Sequence, residues 1–329
     1  MNKTKILASP LQSRVHNQLT NQLLTSNKNR HKRGEIMGFK KTTSTVSSFI
    51  TADTDTTNIA PIHAPQKRAP GTVYLVGAGP GDADLLTVKA LSLIQQCDVI
   101  IFDNLVSKEI RLLFPEQALS VYVGKSKGSH HFTQSKINQL LADKARQGLN
   151  VCRLKGGDAF VFGRGGEEMI ELKKQGIQVE IVPGITAAAG CGSYAGIPLT
   201  HRGLSQGCTF VTAHAEKELD INWSALAELD HTLVFYMGLS KVPLIEKQLT
   251  AAGLSKDTPA AIIENGCCPE QRLITGQLNQ LASLVTKEQV KSPALIMIGK
   301  VVSLSQQLQW FNSQSGINST ANELSRISA

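Results

Sequence analysis

The 329-residue chain contains no run of eighteen or more apolar residues, so no segment reads as a membrane-spanning helix. It lacks an apolar stretch of secretory type near its start, which excludes a signal peptide. The six cysteines, at 97, 152, 191, 208, 267 and 268, include no Cys-x-x-Cys pair. That spacing speaks against a zinc site or a redox dithiol. Several fall in apolar, strand-like runs, as reduced and buried thiols of a reducing compartment do, and the tandem Cys267-Cys268 reads as packing. There is no P-loop, and Ser193 has Cys191 where the first glycine of a nucleophile elbow belongs. His130 and His131 are adjacent, so their side chains diverge, and no third ligand stands at a suitable spacing; no metal is expected.

The net charge of +8 is unevenly placed. Residues 1–69 carry eleven Lys and Arg against three Asp and Glu, whereas residues 70–329 carry 23 of each sign. The sequence pI of about 9.2 therefore describes the amino-terminal stretch and not a basic globular body. Residues 1–69, rich in Asn, Ser, Thr and Lys with a basic cluster at Lys28–Arg33, read as a disordered extension. Few acids and many hydroxyls are features of a transit peptide, but no amphipathic Arg-rich helix is evident, and a cytoplasmic protein is the expectation. Residues 312–329 read as a flexible Ser/Asn-rich tail. Hydrophobic residues make up 41% and charged residues 18% of the chain, enough for a sizeable core.

From Gly71 the texture becomes strand–helix alternation. Apolar runs at 72–76, 98–102, 120–123, 151–154 and 179–182 read as strands, separated by helical spacing at 83–96, 107–113, 134–146 and 167–174. This order implies crossovers and a mostly parallel sheet. After Pro183-Gly184 comes a small-residue helix within 185–196. Five more strands then follow at 208–212, 232–237, 260–264, 272–275 and 294–298, the last two closer to hairpin-like connections than to long crossovers. The fold class is α/β, with two domains at 70–186 (mostly parallel sheet) and 187–311 (mixed sheet). A cleft between two such domains is a preferred small-molecule site.

The richest segment is Leu154–Glu168, LKGGDAFVFGRGGEE, with five glycines in fifteen residues. A turn needs one or two glycines, so this many at the carboxyl end of a strand point to a ligand loop. Asp158, directly after Gly156-Gly157, suits a cationic ligand, whereas Glu167 and Glu168 read as acids complementing a helix amino terminus. The second glycine-rich turn, Gly77-Ala78-Gly79-Pro80-Gly81-Asp82, imitates the dinucleotide fingerprint and fails it. Asp82 stands at the third glycine position, and Pro80 removes an N–H that a pyrophosphate would need. A ligand without phosphates is favoured, and S-adenosylmethionine, a nucleoside bearing a sulfonium, fits. Asp103, after the second strand, can serve as a general base if it faces the cleft; alone it is a common helix cap. Lys125, Lys127, Arg153, Lys155, Arg164, His201 and Arg202 fall at positions expected to face the cleft, as an anionic substrate would require. Two competing readings are an NAD-dependent oxidoreductase resting on GAGPG and an RNA-binding protein using the basic extension.

The segments VYLVGAGPGDADLLTVKAL (73–91), FDNLVS (102–107), VGK (123–125), RLKGGDAFVFGRGGEE (153–168), VPGITAAAGCGSYAGIPLTHR (182–202), TLVFYMGL (232–239) and ENG (264–266) together resemble the uroporphyrinogen-III C-methyltransferases of the tetrapyrrole methylase family, over residues 71–302. The resemblance implies transfer of two methyl groups from S-adenosylmethionine to C2 and C7 of uroporphyrinogen III, giving precorrin-2 for siroheme or cobalamin synthesis. It also implies a homodimer, with no nucleic-acid, membrane or metal requirement. It carries cofactor contacts to Pro80, Gly156, Gly157, Asp158, Val161, Thr186, Ala187, Met237 and Gly266, the proton acceptor to Asp103 and the proton donor to Lys125. Three positions depart from the family pattern: Asn104 for arginine, Phe102 for tyrosine, and Ala159 for proline, the last expected to loosen the loop. The 69-residue extension is too short and too polar for the dehydrogenase module of fused relatives, so a monofunctional chain is expected. Met37 offers a second translation start; mass spectrometry of the native amino terminus is expected to find no peptide spanning residues 30–37, and finding one would place the start upstream.

Overall fold

The computed structural model describes residues 69–124, 132–214 and 220–311, all within one compact unit. The expected disordered extension, apart from Ala69, and the expected tail at 312–329 lie outside the described residues. No helix among the described residues is long and apolar enough to cross a membrane.

Five strands, β1 (Thr72–Gly77), β2 (Val99–Phe102), β3 (Leu119–Tyr122), β4 (Val151–Lys155) and β5 (Gln178–Val182), form one sheet. Its order is β3-β2-β4-β1-β5 and every pairing is parallel. The helices between them are α1 (Val88–Gln96), α2 (Lys108–Arg111), α3 (Gln134–Arg146) and α4 (Gly165–Lys174). The α1 and α2 side of the sheet buries Ala90, Ile94, Ile110, Ile100, Cys152 and Leu154. The opposite side buries Leu141, Ala145, Leu172, Val73, Leu75 and Val151 under α3 and α4. Coverage on both faces explains why these strands read as unbroken apolar runs.

The helical spacing at 83–96 is not one helix. A single 3-10 turn occupies Ala83–Leu85, and α1 begins at Val88 because Thr87 takes an extended conformation and its hydroxyl accepts from the Ala90 N–H at 3.1 Å. Ser107 and Thr133 cap α2 and α3 in the same way.

After α5 (Ala187–Tyr194) come β6 (Gly207–Thr212), α6 (Trp223–Glu228), β7 (His231–Tyr236), α7 (Val242–Ala251), β8 (Pro259–Glu264), β9 (Arg272–Gln277), α8 (Leu281–Lys287) and β10 (Ala294–Ile298). The second sheet has the order β6-β7-β10-β8-β9. Only β6–β7 is parallel, so the sheet is mixed, as expected. β8 and β9 form an antiparallel hairpin. The chain leaves β9 through α8, and β10 inserts antiparallel between β7 and β8. Because β7 and β8 both run against β10, their carboxyl ends share one edge. That edge carries Met237 and Gly266. The α7 and α8 side of this sheet buries Phe235, Ile245, Leu249 and Leu281, while α5 covers the other side with Ala188 and Cys191.

At the carboxyl edge of the first sheet, three backbones nearly touch. A Cβ on Gly184 would stand 2.4 Å from the Gly157 carbonyl oxygen, and one on Gly77 would stand 2.5 Å from the Gly184 nitrogen. Neither distance is accessible to real atoms, so Gly184→Ala is expected to lower stability by about 1–3 kcal/mol through overpacking, read as a lower urea midpoint; an unchanged midpoint would show that the strand ends part freely.

Candidate active site

The site is built from the loops that leave the carboxyl ends of β1, β2, β4 and β5 and from the β7 and β8 edge of the second sheet. The β1 and β4 loops are tied to each other: the Gly79 N–H donates to the Gly157 carbonyl at 3.0 Å and the Gly157 N–H donates back at 2.7 Å. Gly157 sits at φ +68°, a conformation side chains disfavour. The nearest atom to its absent Cβ is the Ala187 nitrogen, 3.7 Å away, so the glycine turn and the amino terminus of α5 face each other closely. Asp158 shapes this turn. Its Oδ1 accepts from the N–H groups of Phe160 (2.8 Å) and Val161 (3.2 Å), and its Oδ2 accepts from Gly184 (3.0 Å). The carboxylate thereby joins the β4 and β5 loops, with three N–H donors already on it. Ala159 is fully buried, and its carbonyl closes the far end of the loop by accepting from the Gly165 N–H at 2.9 Å.

The second sheet reaches the same place through Tyr236, the last residue of β7. Its hydroxyl lies 2.7 Å from Thr186 Oγ1 and accepts from the Ala188 N–H at 2.9 Å. It does for α5 what an N-cap side chain does elsewhere; Thr186 occupies the cap position without making a cap bond itself. Burial pushes the Tyr236 hydroxyl above the ordinary tyrosine pKa, with the Thr186 and Ala188 hydrogen bonds opposing. The Tyr236 ring also meets Phe162 of the β4 loop at a centroid distance of 4.9 Å. The next residue, Met237, has φ +54° and is half exposed. Arg164 and Phe162, in the β4 loop, and Asn265 and Cys267, after β8, are likewise non-glycine residues at positive φ. Such strained residues gather where a structure serves a ligand more than its own stability. Gly266 packs its backbone on Cys191 of α5, where a Cβ would come 2.2 Å from the sulfur, and a Cβ on Gly190 would strike Pro80. Pro80, Gly157, Asp158, Val161, Thr186, Ala187, Met237 and Gly266 therefore belong to loops that contact one another. Gly156 belongs to the same turn and packs on Leu105 of the β2 loop.

Asp103 begins that β2 loop. Its Oδ1 accepts from the Leu105 N–H at 3.0 Å, and its Oδ2 lies 3.4 Å from Arg153 Nη2. Arg153 and Lys155 do not face an open cleft as the sequence suggested. They are 3% and 5% exposed, because β4 is central and covered on both faces. Glu168 is also not a solvent-facing charge at a helix end. It is fully buried, and its Oε1 accepts from Arg153 Nε (3.4 Å), Lys155 Nζ (3.1 Å) and Gln134 Nε2 (2.9 Å). Burial, with the Arg153 charge beside it, pulls the Lys155 ammonium below the ordinary lysine pKa. Glu167, by contrast, is exposed and paired with Arg164 at 2.7 Å. His201 and Arg202 are exposed after α5. Lys125 and Lys127, with His130 and His131, lie outside the described residues.

Asp82, the residue that spoils the dinucleotide fingerprint, accepts from the Asp84 N–H at 2.9 Å and from the Tyr194 hydroxyl at 2.6 Å. Sequence reasoning missed Tyr236, Tyr194 and the burial of Glu168. The YMGL motif contained Tyr236, but its partners lie 48 and 50 residues away.

Two α/β sheets whose carboxyl-edge loops meet in a glycine-opened junction define the architecture of the site. The chain belongs to the tetrapyrrole (corrin/porphyrin) methylases, whose family model matches residues 72–282. It is 48% identical over 287 residues to a siroheme synthase of Pseudoalteromonas translucida, covering 86% of this chain and 61% of that one. A siroheme synthase of Pectobacterium atrosepticum is 52% identical over 244 residues, which make up 74% of this chain and 53% of that protein. The chain thus spans between half and two thirds of the length of these curated relatives. Among solved structures, a Thermus thermophilus uroporphyrin-III C-methyl transferase complexed with S-adenyl homocysteine superposes with a TM-score of 0.63 and 39% identity, covering 71% of this chain and all of that one. Replacing Tyr236 by Phe removes one acceptor from the amino terminus of α5 and is expected to cost about 1–2 kcal/mol of stability, measured by denaturant unfolding; no change would mean that water replaces the hydroxyl.

Proposed function

We propose that the chain is an S-adenosylmethionine-dependent C-methyltransferase acting on uroporphyrinogen III, methylating C2 and C7 to give precorrin-2 for siroheme or cobalamin synthesis. The observation that carries this reading is the junction itself. Glycine-opened loops from β1 and β4 close against the amino terminus of α5 and the β7–β8 edge, with the Asp103 carboxylate fixed on the neighbouring loop. In this reading Pro80, Gly156, Gly157, Asp158, Val161, Thr186, Ala187, Met237 and Gly266 hold the methyl donor, with Asp158 acting through the turn it shapes. S-adenosylmethionine, when bound, supplies a methyl group on a good leaving group. The protein's part is to align the acceptor carbon and exclude water, and Asp103 takes the proton that the pyrrole loses. Lys125 is the proposed proton donor. The substrate's carboxylates are met by surface side chains such as Arg164, His201 and Arg202.

We further propose a division near residues 186 and 187 into two domains, a cytoplasmic location and a homodimer. The NAD-dependent alternative is disfavoured by Asp82, whose carboxylate is held by Tyr194 where a pyrophosphate would need N–H donors.

Anaerobic incubation with uroporphyrinogen III and S-adenosylmethionine is expected to yield a dimethylated product. Calorimetry is expected to show binding of S-adenosylhomocysteine and none of NAD; the reverse result would overturn the assignment. Asp103→Ala is expected to slow turnover by about a hundredfold or more while S-adenosylhomocysteine affinity stays within about twofold; normal turnover would remove Asp103 from the proton-acceptor role.

A further inference from the structure

The middle of β4 poses a problem that the methyl-donor site does not explain. Cys152 and Leu154 point to the α1 side of the sheet and join its apolar cluster. Val151 points to the α3 and α4 side and joins the other. By alternation, Arg153 and Lys155 follow Val151 into that second core. Two cations there are expensive to desolvate, and a well-packed apolar pair of similar volume would ordinarily be no less stable. The core supplies one fully buried anion, Glu168, and only its Oε1 is used. Glu168 Oε2 has no hydrogen-bond partner among the described residues. Gln134 adds a donor to the same crowded oxygen.

The second counter-charge lies outside this core. Arg153 is opposite Ile101 in the β2–β4 register, and its guanidinium reaches along β2. Nη1 donates to the Ile101 carbonyl at 3.4 Å and to the Leu154 carbonyl at 3.2 Å, and Nη2 points to Asp103 Oδ2 at 3.4 Å. Of the four charged groups, Asp103 alone has substantial solvent access, its side chain being 25% exposed. The network is therefore a strut with a buried root at Glu168 and a single outward end at Asp103.

We infer that Arg153, braced from behind by Glu168, is a positioning residue that holds the Asp103 carboxylate at the edge of the site while the Leu105 N–H holds its other oxygen. The inference rests on the proposed role of Asp103 as proton acceptor. It adds that the geometry of that carboxylate is set from inside the sheet. A guanidinium suits the task, since its planar fork serves the Glu168 side through Nε and the Asp103 side through Nη2 at once, whereas an ammonium cannot.

The test uses the full-length protein and three variants: Arg153→Met/Glu168→Gln, which removes one charge of each sign from the core and leaves Lys155 an amide oxygen in place of its carboxylate partner; Arg153→Lys; and Glu168→Gln. Thermal unfolding and calorimetry with S-adenosylhomocysteine establish that each is folded and binds the donor. In the double variant kcat is expected to fall about tenfold to a hundredfold, with KM for uroporphyrinogen III changed by less than about threefold. Arg153→Lys should recover only part of the loss, and Glu168→Gln should fall between it and wild type. Crystal structures of wild type and the folded variants supply a readout independent of turnover. Asp103 is expected to keep its wild-type position in none of the variants that lack the guanidinium. If the wild-type protein methylates nothing, the proposed function fails, yet the position of Asp103 in the variants still decides whether Arg153 sets it. A folded double variant with an undisplaced Asp103, or with wild-type kcat, overturns the inference. If the double variant does not fold, Arg153→Lys carries the same two readouts.

Discussion

The architecture of the site depends on one steric constraint: the chain must pass three strand ends through a space that admits no side chain. Gly77, Gly157 and Gly184 terminate or follow β1, β4 and β5, and a Cβ on Gly77 or Gly184 would fall within 2.4–2.7 Å of neighbouring backbone. Glycine alone tolerates this, and it loses more conformational freedom on ordering than any other residue. The offset comes from hydrogen bonds that only this close approach permits. Gly79 and Gly157 exchange two of them, and Asp158 collects three backbone N–H groups from two loops. A carboxylate accepting from several N–H groups is a strong fixed point. The loop's acid therefore contributes most visibly as a clamp, and the methyl-donor contacts proposed for the turn depend on that clamp being closed.

The same central strand that ends in this turn carries Arg153 and Lys155 through the core. Strand order explains the coincidence. With β4 between β2 and β1, anything anchored on it is held by two neighbours, and its end lies next to both the Asp103 loop and the Gly79 loop. A charge rooted there is far more rigid than one on a surface loop, at the expense of desolvation. Glu168 meets that expense only in part, since one of its oxygens has no partner among the described residues.

Much of this was legible in the chain. The ten strands fall where the sequence reading puts them; β1, β2, β7, β8 and β10 are nearly continuous apolar stretches because both of their faces are covered, whereas the edge strands β3 and β9 are largely exposed. The parallel first sheet followed from the intervening helical spacing. What local pattern could not carry was pairing at a distance. The insertion of β10 between β7 and β8 leaves no periodic trace, so the strand order of the mixed sheet could not be read from the spacing. Thr87 was visible as a potential cap, yet the apolar spacing on either side concealed the break before α1. Glu168 read as an ordinary acid in the first turn of a helix, since only the tertiary position of α4 against β4 buries it. Tyr236 read as one more strand residue, its hydroxyl partners being remote in sequence.

Ligand selectivity at the first glycine turn is itself a property of both sheets. Pro80 and Asp82 make GAGPGD hostile to a pyrophosphate, but an aspartate in a loop could turn away. Here it cannot do so freely. Its Oδ1 accepts from the Asp84 N–H, and its Oδ2 accepts from Tyr194, at the carboxyl end of α5. Tyr194 is packed in turn against Trp310 and Phe311, and the Trp310 indole N–H donates to the Ser193 carbonyl at 2.8 Å. Burial and the hydrogen bond to Asp82 push the Tyr194 hydroxyl above the usual tyrosine range. The Asp82 carboxylate is thus fixed by the helix that also presents its amino terminus to Gly157. The first sheet supplies the turn, and the second supplies the brace that holds its carboxylate in place.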